Sequence, residues 1–266
     1  MSDPATATRK LPLRKILWSA FALPWRHRAD FVGPLGLPLL AMIGCSLAWR
    51  RMAFQPPVAA WVAMVPVYCL AMSWLAITVH RLVLLEASDA RTPWNAQSWR
   101  RLGLFTAAGA GLWLSYVVIG VLIASVVVGL ISITHGDAEA LLKGDPTKLP
   151  LAAIEWISYS SFVLTAWAIG RLCLVLPAIA VDDKPDVAAL WRASRGNAWR
   201  LAVVAGVLPL GLELLMNLLE GHSPPALVSS VFAVITAPLV VVEVVALSLS
   251  YWELTSPAPP PTPEPS

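Results

Sequence analysis

The sequence predicts an all-α polytopic membrane protein, a bundle of six transmembrane helices with short cytoplasmic interfacial helices. The first reason is composition: 58% of the 266 residues are hydrophobic and 13% are charged, whereas soluble domains average about 45–50% apolar and about 25% charged residues. The second reason is run length, since each helical span needs about 20 mostly apolar residues. A soluble fold is therefore excluded. The apolar runs occupy residues 31–49, 57–80, 102–133, 151–180, 199–219 and 225–250.

The two ends of the chain lack such runs. Residues 1–10 are predicted to be a disordered tail, and residues 255–266 carry six prolines, which indicates an extended, disordered segment. Residues 11–254 form the membrane domain. The stretch Ile16–Trp25 follows basic residues, as in a signal peptide, but its apolar part is too short and a long span follows at once, so we interpret it as mature chain.

The basic residues divide unequally between the two sides of the predicted membrane. Fifteen of the 19 Lys and Arg residues fall on one side, and the other side holds only Arg50, Arg51, Lys143 and Lys148. Cytoplasmic loops carry such an excess of Lys and Arg. The pattern predicts that both termini are cytoplasmic, because an even number of spans returns the chain to its starting side.

The thirteen tryptophans agree with this orientation. Indole rings favour the membrane interface, where the apolar ring and the polar N–H are both satisfied. Core packing is the alternative for any single tryptophan, but together they form two belts. The inner belt holds Trp18, Trp25, Trp94, Trp99, Trp191, Trp199 and Trp252, and the outer belt holds Trp49, Trp61 and Trp156.

A short segment rich in Trp and Arg precedes each odd-numbered span, and we predict three interfacial helices from these segments. The first has an apolar face made by Leu13, Ile16, Leu17, Ala20 and Phe21. The second begins at Thr92-Pro93 and carries Trp94, Trp99, Arg100 and Arg101. The third starts at Asp183 and Pro185, ends at Gly196, and shares one face among Val187, Leu190, Trp191 and Ser194.

Two of these units also resemble each other in sequence. Residues 76–85 (Ala-Ile-Thr-Val-His-Arg-Leu-Val-Leu-Leu) parallel residues 166–175 (Ala-Trp-Ala-Ile-Gly-Arg-Leu-Cys-Leu-Val), and residues 98–102 parallel residues 198–201. The similarity indicates three copies of one unit, namely an interfacial helix, an ascending span and a descending span. Parallel repeats occur in transporters, with a substrate site between them. Duplication of a stable helical hairpin would produce the same sequence similarity, and we favour this explanation.

A resemblance to known proteins is carried by residues 79–86 (Val-His-Arg-Leu-Val-Leu-Leu-Glu), 174–178 (Leu-Val-Leu-Pro-Ala) and 195–201 (Arg-Gly-Asn-Ala-Trp-Arg-Leu). The chain resembles a broad set of uncharacterised bacterial inner-membrane proteins, similar to the six-helix membrane domain attached to some glycerophosphodiester phosphodiesterases. The resemblance spans residues 11–253 and implies a six-span protein of the bacterial cytoplasmic membrane. The hydrolase of that arrangement is a separate soluble barrel, so its activity and its catalytic residues are not carried over.

Ionisable and polar residues inside the predicted spans are candidate binding residues, because a charge near the bilayer centre costs about 2.5–3.5 kcal/mol unless it faces a bundle interior, a cavity or a partner. From their depths along the helices, we expect Arg171 and Glu243 to form an ion pair that fixes helix register. A solute or proton site, or snorkelling of Arg171 to the inner interface, are the alternatives. Glu213, Asn217 and Glu155 could hold a shared proton or a cation, but contact with outer-interface water is favoured.

Basic residues at the inner ends of the spans are expected to contact lipid headgroups. His80 and Arg81 lie at the end of the second span and could also order the following interfacial helix. Arg192 and Arg195 point away from the apolar face of the third interfacial helix. These four residues are the candidate headgroup contacts.

The remaining features predict packing rather than chemistry. Small residues recur every four positions on the third span, and such a face lets another helix approach closely. The three cysteines and the scattered outer histidines lack the spacing of metal ligands, so neither a metal nor a cofactor is predicted. No phosphate-binding loop, nucleophile elbow or zinc-helix motif occurs in the sequence. The small residues that form this face of the third span are Gly103, Ala107, Gly111 and Ser115.

We therefore expect a non-enzymatic accessory or assembly protein that packs against membrane lipids or other membrane proteins, with no nucleic-acid partner. The alternative is a small-solute or lipid transporter with a site near Arg171, Glu213 and Glu243. An intramembrane lipid-processing enzyme lacks a set of acid, base and nucleophile. A polar cavity reaching mid-membrane would favour the transporter, whereas a closed core with paired charges would favour the accessory protein.

Overall fold

The structure is a computed structural model, which describes residues 10–52, 58–85, 95–135, 159–160, 163–167, 169–182, 186–207 and 225–256. The regular elements in these residues are helices, as predicted. They are α1 (Leu13–Arg26), α2 (Arg28–Met52), α3 (Val58–Leu84), α4 (Ala96–His135), a 3-10 turn (Leu172–Leu174) leading into α5 (Val175–Ala180), α6 (Val187–Ala193), α7 (Ala198–Ala202) with a π-helical turn (Val203–Val207), and α8 (Pro225–Thr255).

Four of these helices are long and apolar enough to cross a membrane. They correspond to the first, second, third and sixth predicted spans, which confirms an all-helical fold with helices that are candidates for crossing a membrane. The predicted fourth and fifth spans fall only partly within the described residues, so the count of six remains a prediction. The apolar segments are Arg28–Ala48 in α2, Met64–Leu84 in α3, Ala96–Ile123 in α4 and Val234–Thr255 in α8.

Helix α3 lies at the centre of the packing and contacts α2, α4, α5 and α8. Apolar side chains from these helices form one core, in which Met42, Leu75 and Val245 are almost completely buried. Helix α1 also packs on α8 and contributes Ile16 and Ala20 to this core. Within a bilayer such contacts stabilise the bundle through close van der Waals packing, because lipid tails are as apolar as the side chains.

Helices form where the first and third interfacial helices were predicted, and their place at a membrane interface stays a prediction. Helix α1 buries Ile16 and Ala20, although Phe21 of the same predicted face is half exposed. Helix α6 begins one residue after Asp186, whose carboxylate accepts hydrogen bonds from the backbone N–H groups of residues 188 and 189 at 3.0 Å. Gly196 follows this helix with a φ of 77°, a left-handed conformation that glycine adopts at no steric cost. The predicted start, Asp183 and Pro185, lies outside the described residues.

The second interfacial helix is not a separate element in the described residues, and this prediction was wrong. Asn95 caps a helix by accepting a hydrogen bond from the Ser98 backbone N–H at 2.9 Å, and α4 then continues for 40 residues, about 60 Å at 1.5 Å per residue. The segment with Trp99 and Arg101 therefore belongs to the same helix as the predicted third span, residues 102–133. The expected start at Thr92-Pro93 lies outside the described residues.

Helix α4 uses only one side for packing. Arg101, Leu102 and Phe105 are buried, whereas Gly103 and Gly111 are exposed. Successive helical residues are separated by about 100°, so the small residues lie on the side opposite Phe105. An added Cβ at either glycine would meet no atom within 4 Å. The small-residue face therefore points away from the rest of the bundle.

Candidate functional site

Several helix ends meet at one end of the bundle, where α3, α5 and α8 finish and α4 and α7 begin; we call this the basic end. The His80 ring of α3 lies 2.7 Å from the Ser248 hydroxyl of α8. At the start of the described chain, the Leu11 backbone N–H donates to the Asn197 side-chain oxygen at 2.9 Å. Arginines that the sequence assigns to one side of the membrane are therefore brought together.

An ion cluster joins three helices at the basic end. Arg101 donates from Nε to Asp182 Oδ1 at 2.8 Å and from Nη2 to Asp182 Oδ2, and Arg81 Nη1 lies 3.4 Å from the same Oδ2. Both arginine side chains are only 9% exposed. A bidentate guanidinium–carboxylate pair is among the stronger polar interactions in proteins. The cluster therefore ties α3 and α4 to the residues that follow α5.

The prediction that His80 and Arg81 contact lipid headgroups was wrong. His80 is 1% exposed, and its ring also lies 5.8 Å from that of Phe105. The guanidinium of Arg81 is directed at Asp182 and at the backbone carbonyl of Ala180. The bundle therefore uses both side chains internally, because the ends of α5 and α8 supply polar acceptors at this depth.

The His80–Ser248 contact is a polar link between two apolar helices. The Ser248 hydroxyl donates to the Val244 carbonyl at 2.7 Å, which leaves its oxygen to accept a hydrogen bond from His80 Nδ1–H. Ser248 is completely buried. The contact therefore fixes the register of α3 against α8.

We expect Ser248→Ala to lower the free energy of unfolding by about 1–2 kcal/mol, because a buried donor on His80 loses its acceptor. The measurement is unfolding in mixed detergent micelles. The matched control is Ser115→Ala, since the Ser115 hydroxyl also donates to the carbonyl four residues earlier but lies on the exposed face of α4. Equal losses for the two variants would contradict a role for the interhelical bond.

A third arginine at the basic end, Arg171, is held by α6. Its Nε donates to the Ser194 hydroxyl at 2.8 Å, its Nη2 donates to the Trp191 carbonyl, and its guanidinium carbon lies 3.6 Å from the centre of the Trp191 ring. Stacking of a guanidinium on an indole adds a cation–π attraction. The Arg171 side chain is thus fixed by three separate contacts.

The predicted ion pair between Arg171 and Glu243 was wrong. The chain turns at residues 170–171 and continues as a 3-10 turn rather than as a straight α-helix. This break lets the long Arg171 side chain reach the end of α6 instead of crossing to α8. Glu243 lies on α8 and is partly buried.

The other candidate residues have different outcomes. Arg192 and Arg195 are exposed, so the headgroup contact predicted for them stays a prediction. Glu213, Asn217 and Glu155 lie outside the described residues. Sequence reasoning missed Asp182, Ser194 and Ser248 as partners of arginine and histidine. Of these three residues, only Asp182 could have been suspected from the sequence. It is an acidic residue just after the predicted fourth span, on the side where arginines lie at the ends of other spans.

The described residues contain no group of three His, Cys, Asp or Glu side chains placed to hold a metal ion. An apolar cavity of about 310 Å³ lies beside the basic end between α3 and α8. Its lining residues are Val83, Leu84, Leu85, Leu249 and Trp252. Comparison of the whole chain with protein-family models, with curated proteins and with solved structures gives no match.

Proposed function

We propose that the chain is a six-span protein of the bacterial inner membrane, with both termini in the cytoplasm, that acts as a non-enzymatic accessory or assembly protein. It works by packing its outward surfaces against lipids and other membrane proteins. The bacterial location follows from the resemblance to inner-membrane proteins, and the orientation follows from the distribution of basic residues.

The observation that carries this proposal is the outward surface of α4. Beyond its first turns, large apolar side chains such as Trp113, Leu114 and Leu122 are more than half exposed. Soluble proteins rarely leave so much apolar side chain in water, and a lipid or protein partner would cover it. The small residues on the same helix would let a partner helix approach its backbone closely.

The basic end supports packing rather than transport. A transporter site was expected near Arg171, Glu213 and Glu243, but Arg171 is engaged by α6 and Glu213 lies outside the described residues. Arg81 and Arg101 are engaged by Asp182. The cavity described between α3 and α8 is lined by apolar side chains.

Photo-crosslinking tests the packing role. A photoreactive residue placed at Leu114 is expected to crosslink to lipids or to other membrane proteins in native membranes, because this side chain is exposed. The same residue at Phe105, which is buried on the same helix, is expected to crosslink only within the chain. Crosslinks confined to the chain at both positions would contradict the proposal.

Cysteine labelling tests the orientation. In a background without Cys45, Cys69 and Cys173, which are free thiols, an impermeant maleimide added to intact cells is expected to label Lys143→Cys. It is expected to label Arg192→Cys only after the membrane is opened. The reverse pattern would overturn the proposed orientation.

A further inference from the structure

The two arginine groups at the basic end differ in their charge balance. Arg81 and Arg101 share the carboxylate of Asp182. Arg171 has a hydroxyl and a carbonyl as acceptors, and Arg192 donates to a carbonyl of its own helix. In the described part of the chain no carboxylate forms an ion pair with Arg171, Arg192 or Arg195. Among the described residues, positive charge is therefore concentrated around the end of α6 with no carboxylate paired to it.

The Arg171 guanidinium is held in a fixed orientation by its neighbours. Stacking on Trp191 and the bond to Ser194 fix the plane of the guanidinium before any ligand arrives. Arg195 follows Ser194 directly in the chain, so a second arginine stands next to the hydroxyl group that Arg171 contacts. Two like charges held together repel each other, and an anion that contacts both would remove that repulsion.

We infer that Arg171 and Arg195 form a binding site for a phosphate group, with Arg192 at its edge, and that the phosphate belongs to the headgroup of an anionic phospholipid. Guanidinium groups match phosphate oxygens in geometry and form short, charge-assisted hydrogen bonds with them. The inference rests on the proposed function in one respect, namely that the basic end lies at the lipid headgroups of the inner leaflet.

The surroundings favour a lipid over free phosphate as the source. Trp191 is 43% exposed although it stacks on Arg171, and Val187 of the same helix and Trp199 of α7 are also exposed. An indole with one face on a cation and the other open is suited to the level where headgroups meet acyl chains. A free phosphate would need none of these apolar neighbours.

Binding of a fluorescent phosphatidylglycerol to the full chain, purified in detergent without added lipid, tests the site. We expect Arg171→Gln/Arg195→Gln to weaken binding about tenfold or more, because two charge-assisted contacts are lost. The matched control is Arg26→Gln/Arg28→Gln, which removes the same charge from exposed positions between α1 and α2 and is expected to change binding by less than about twofold. Equal weakening by both double variants would overturn the site.

Competitors identify the source of the phosphate. Unlabelled phosphatidylglycerol is expected to displace the probe, whereas phosphatidylcholine and millimolar inorganic phosphate are not. Displacement by inorganic phosphate at the same concentration as lipid would overturn the assignment to a headgroup.

Since Arg171 also holds α6, the single variant Arg195→Gln is measured as well. The Arg195 side chain is exposed, so this variant is expected to keep the fold and still lose affinity. Unchanged affinity in that variant would overturn the role of Arg195.

This assay separates the inference from the proposed function. Binding in detergent does not depend on which side of the membrane the basic end faces, nor on partners of α4. If lipid binding depends on the arginines but the expected labelling or crosslinking pattern is absent, the proposed function is refuted and the site is supported. If the labelling and crosslinking patterns are as expected but lipid binding does not depend on the arginines, only the site is refuted.

Discussion

Asp182→Asn is expected to lower the free energy of unfolding by about 3 kcal/mol, the lower end of the range for breaking a buried ion pair from one side. The substitution leaves two arginine side chains, each only 9% exposed, without their shared carboxylate. The lower end applies because the Asp182 side chain is itself 35% exposed, so water can partly replace the lost interaction. Unfolding in mixed detergent micelles measures the loss.

The choice of Asn isolates the charge. Asp182 has a φ of 63°, a left-handed conformation that Asn tolerates better than most residues. Asp182→Ala is therefore expected to be less stable than Asp182→Asn, because it adds backbone strain. The double variant Arg101→Gln/Asp182→Asn is expected to lose less than the sum of the two single losses. Strict additivity would show that the two side chains are not coupled.

Gly170→Ala is expected to lower the free energy of unfolding by about 1–3 kcal/mol, the usual effect of overfilling a packed site. A Cβ at this position would lie 2.7 Å from the Ala166 carbonyl oxygen, and 3.2 Å from both the Leu201 carbonyl carbon and the Ala202 backbone nitrogen. All three are backbone atoms, so they cannot rotate away as a side chain would. Both the preceding turn and α7 would have to shift.

Gly111→Ala is the matched control for this prediction. Gly111 lies on the exposed face of α4, and an added Cβ would meet no atom within 4 Å. Alanine is also the better helix former by about 0.8–1.0 kcal/mol. No loss of stability is therefore expected for this variant. If both alanine variants behaved alike, the close approach of α7 to Gly170 would not be the cause.

Composition and periodicity were sufficient to predict the helical character of the chain and four helices that could cross a membrane. These four predicted spans coincide with long apolar helices, because a run of about 20 apolar residues has few other solutions in a bilayer. Local signals also located the helices predicted as the first and third interfacial helices. Gly196 could be predicted as a helix terminator because a left-handed residue after a helix is most often glycine.

Tertiary partners could not be predicted in the same way. His80 and Arg81 look like headgroup contacts from the sequence, since nothing local reveals that Ser248 and Asp182 meet them from distant segments. Depth along a straight helix suggested Glu243 as the partner of Arg171, but the turn at residues 170–171 breaks that geometry. Pairing depends on how helices bend and pack, and a linear pattern contains little of that information.

The length of α4 has a consequence for the surrounding bilayer. Its 40 residues measure about 60 Å, against a hydrocarbon thickness of about 30 Å. Even at an inclination of about 40°, the top of the usual range, the helix would rise about 46 Å along the bilayer normal. Part of α4 must therefore extend past the acyl chains into the headgroup layer or the water.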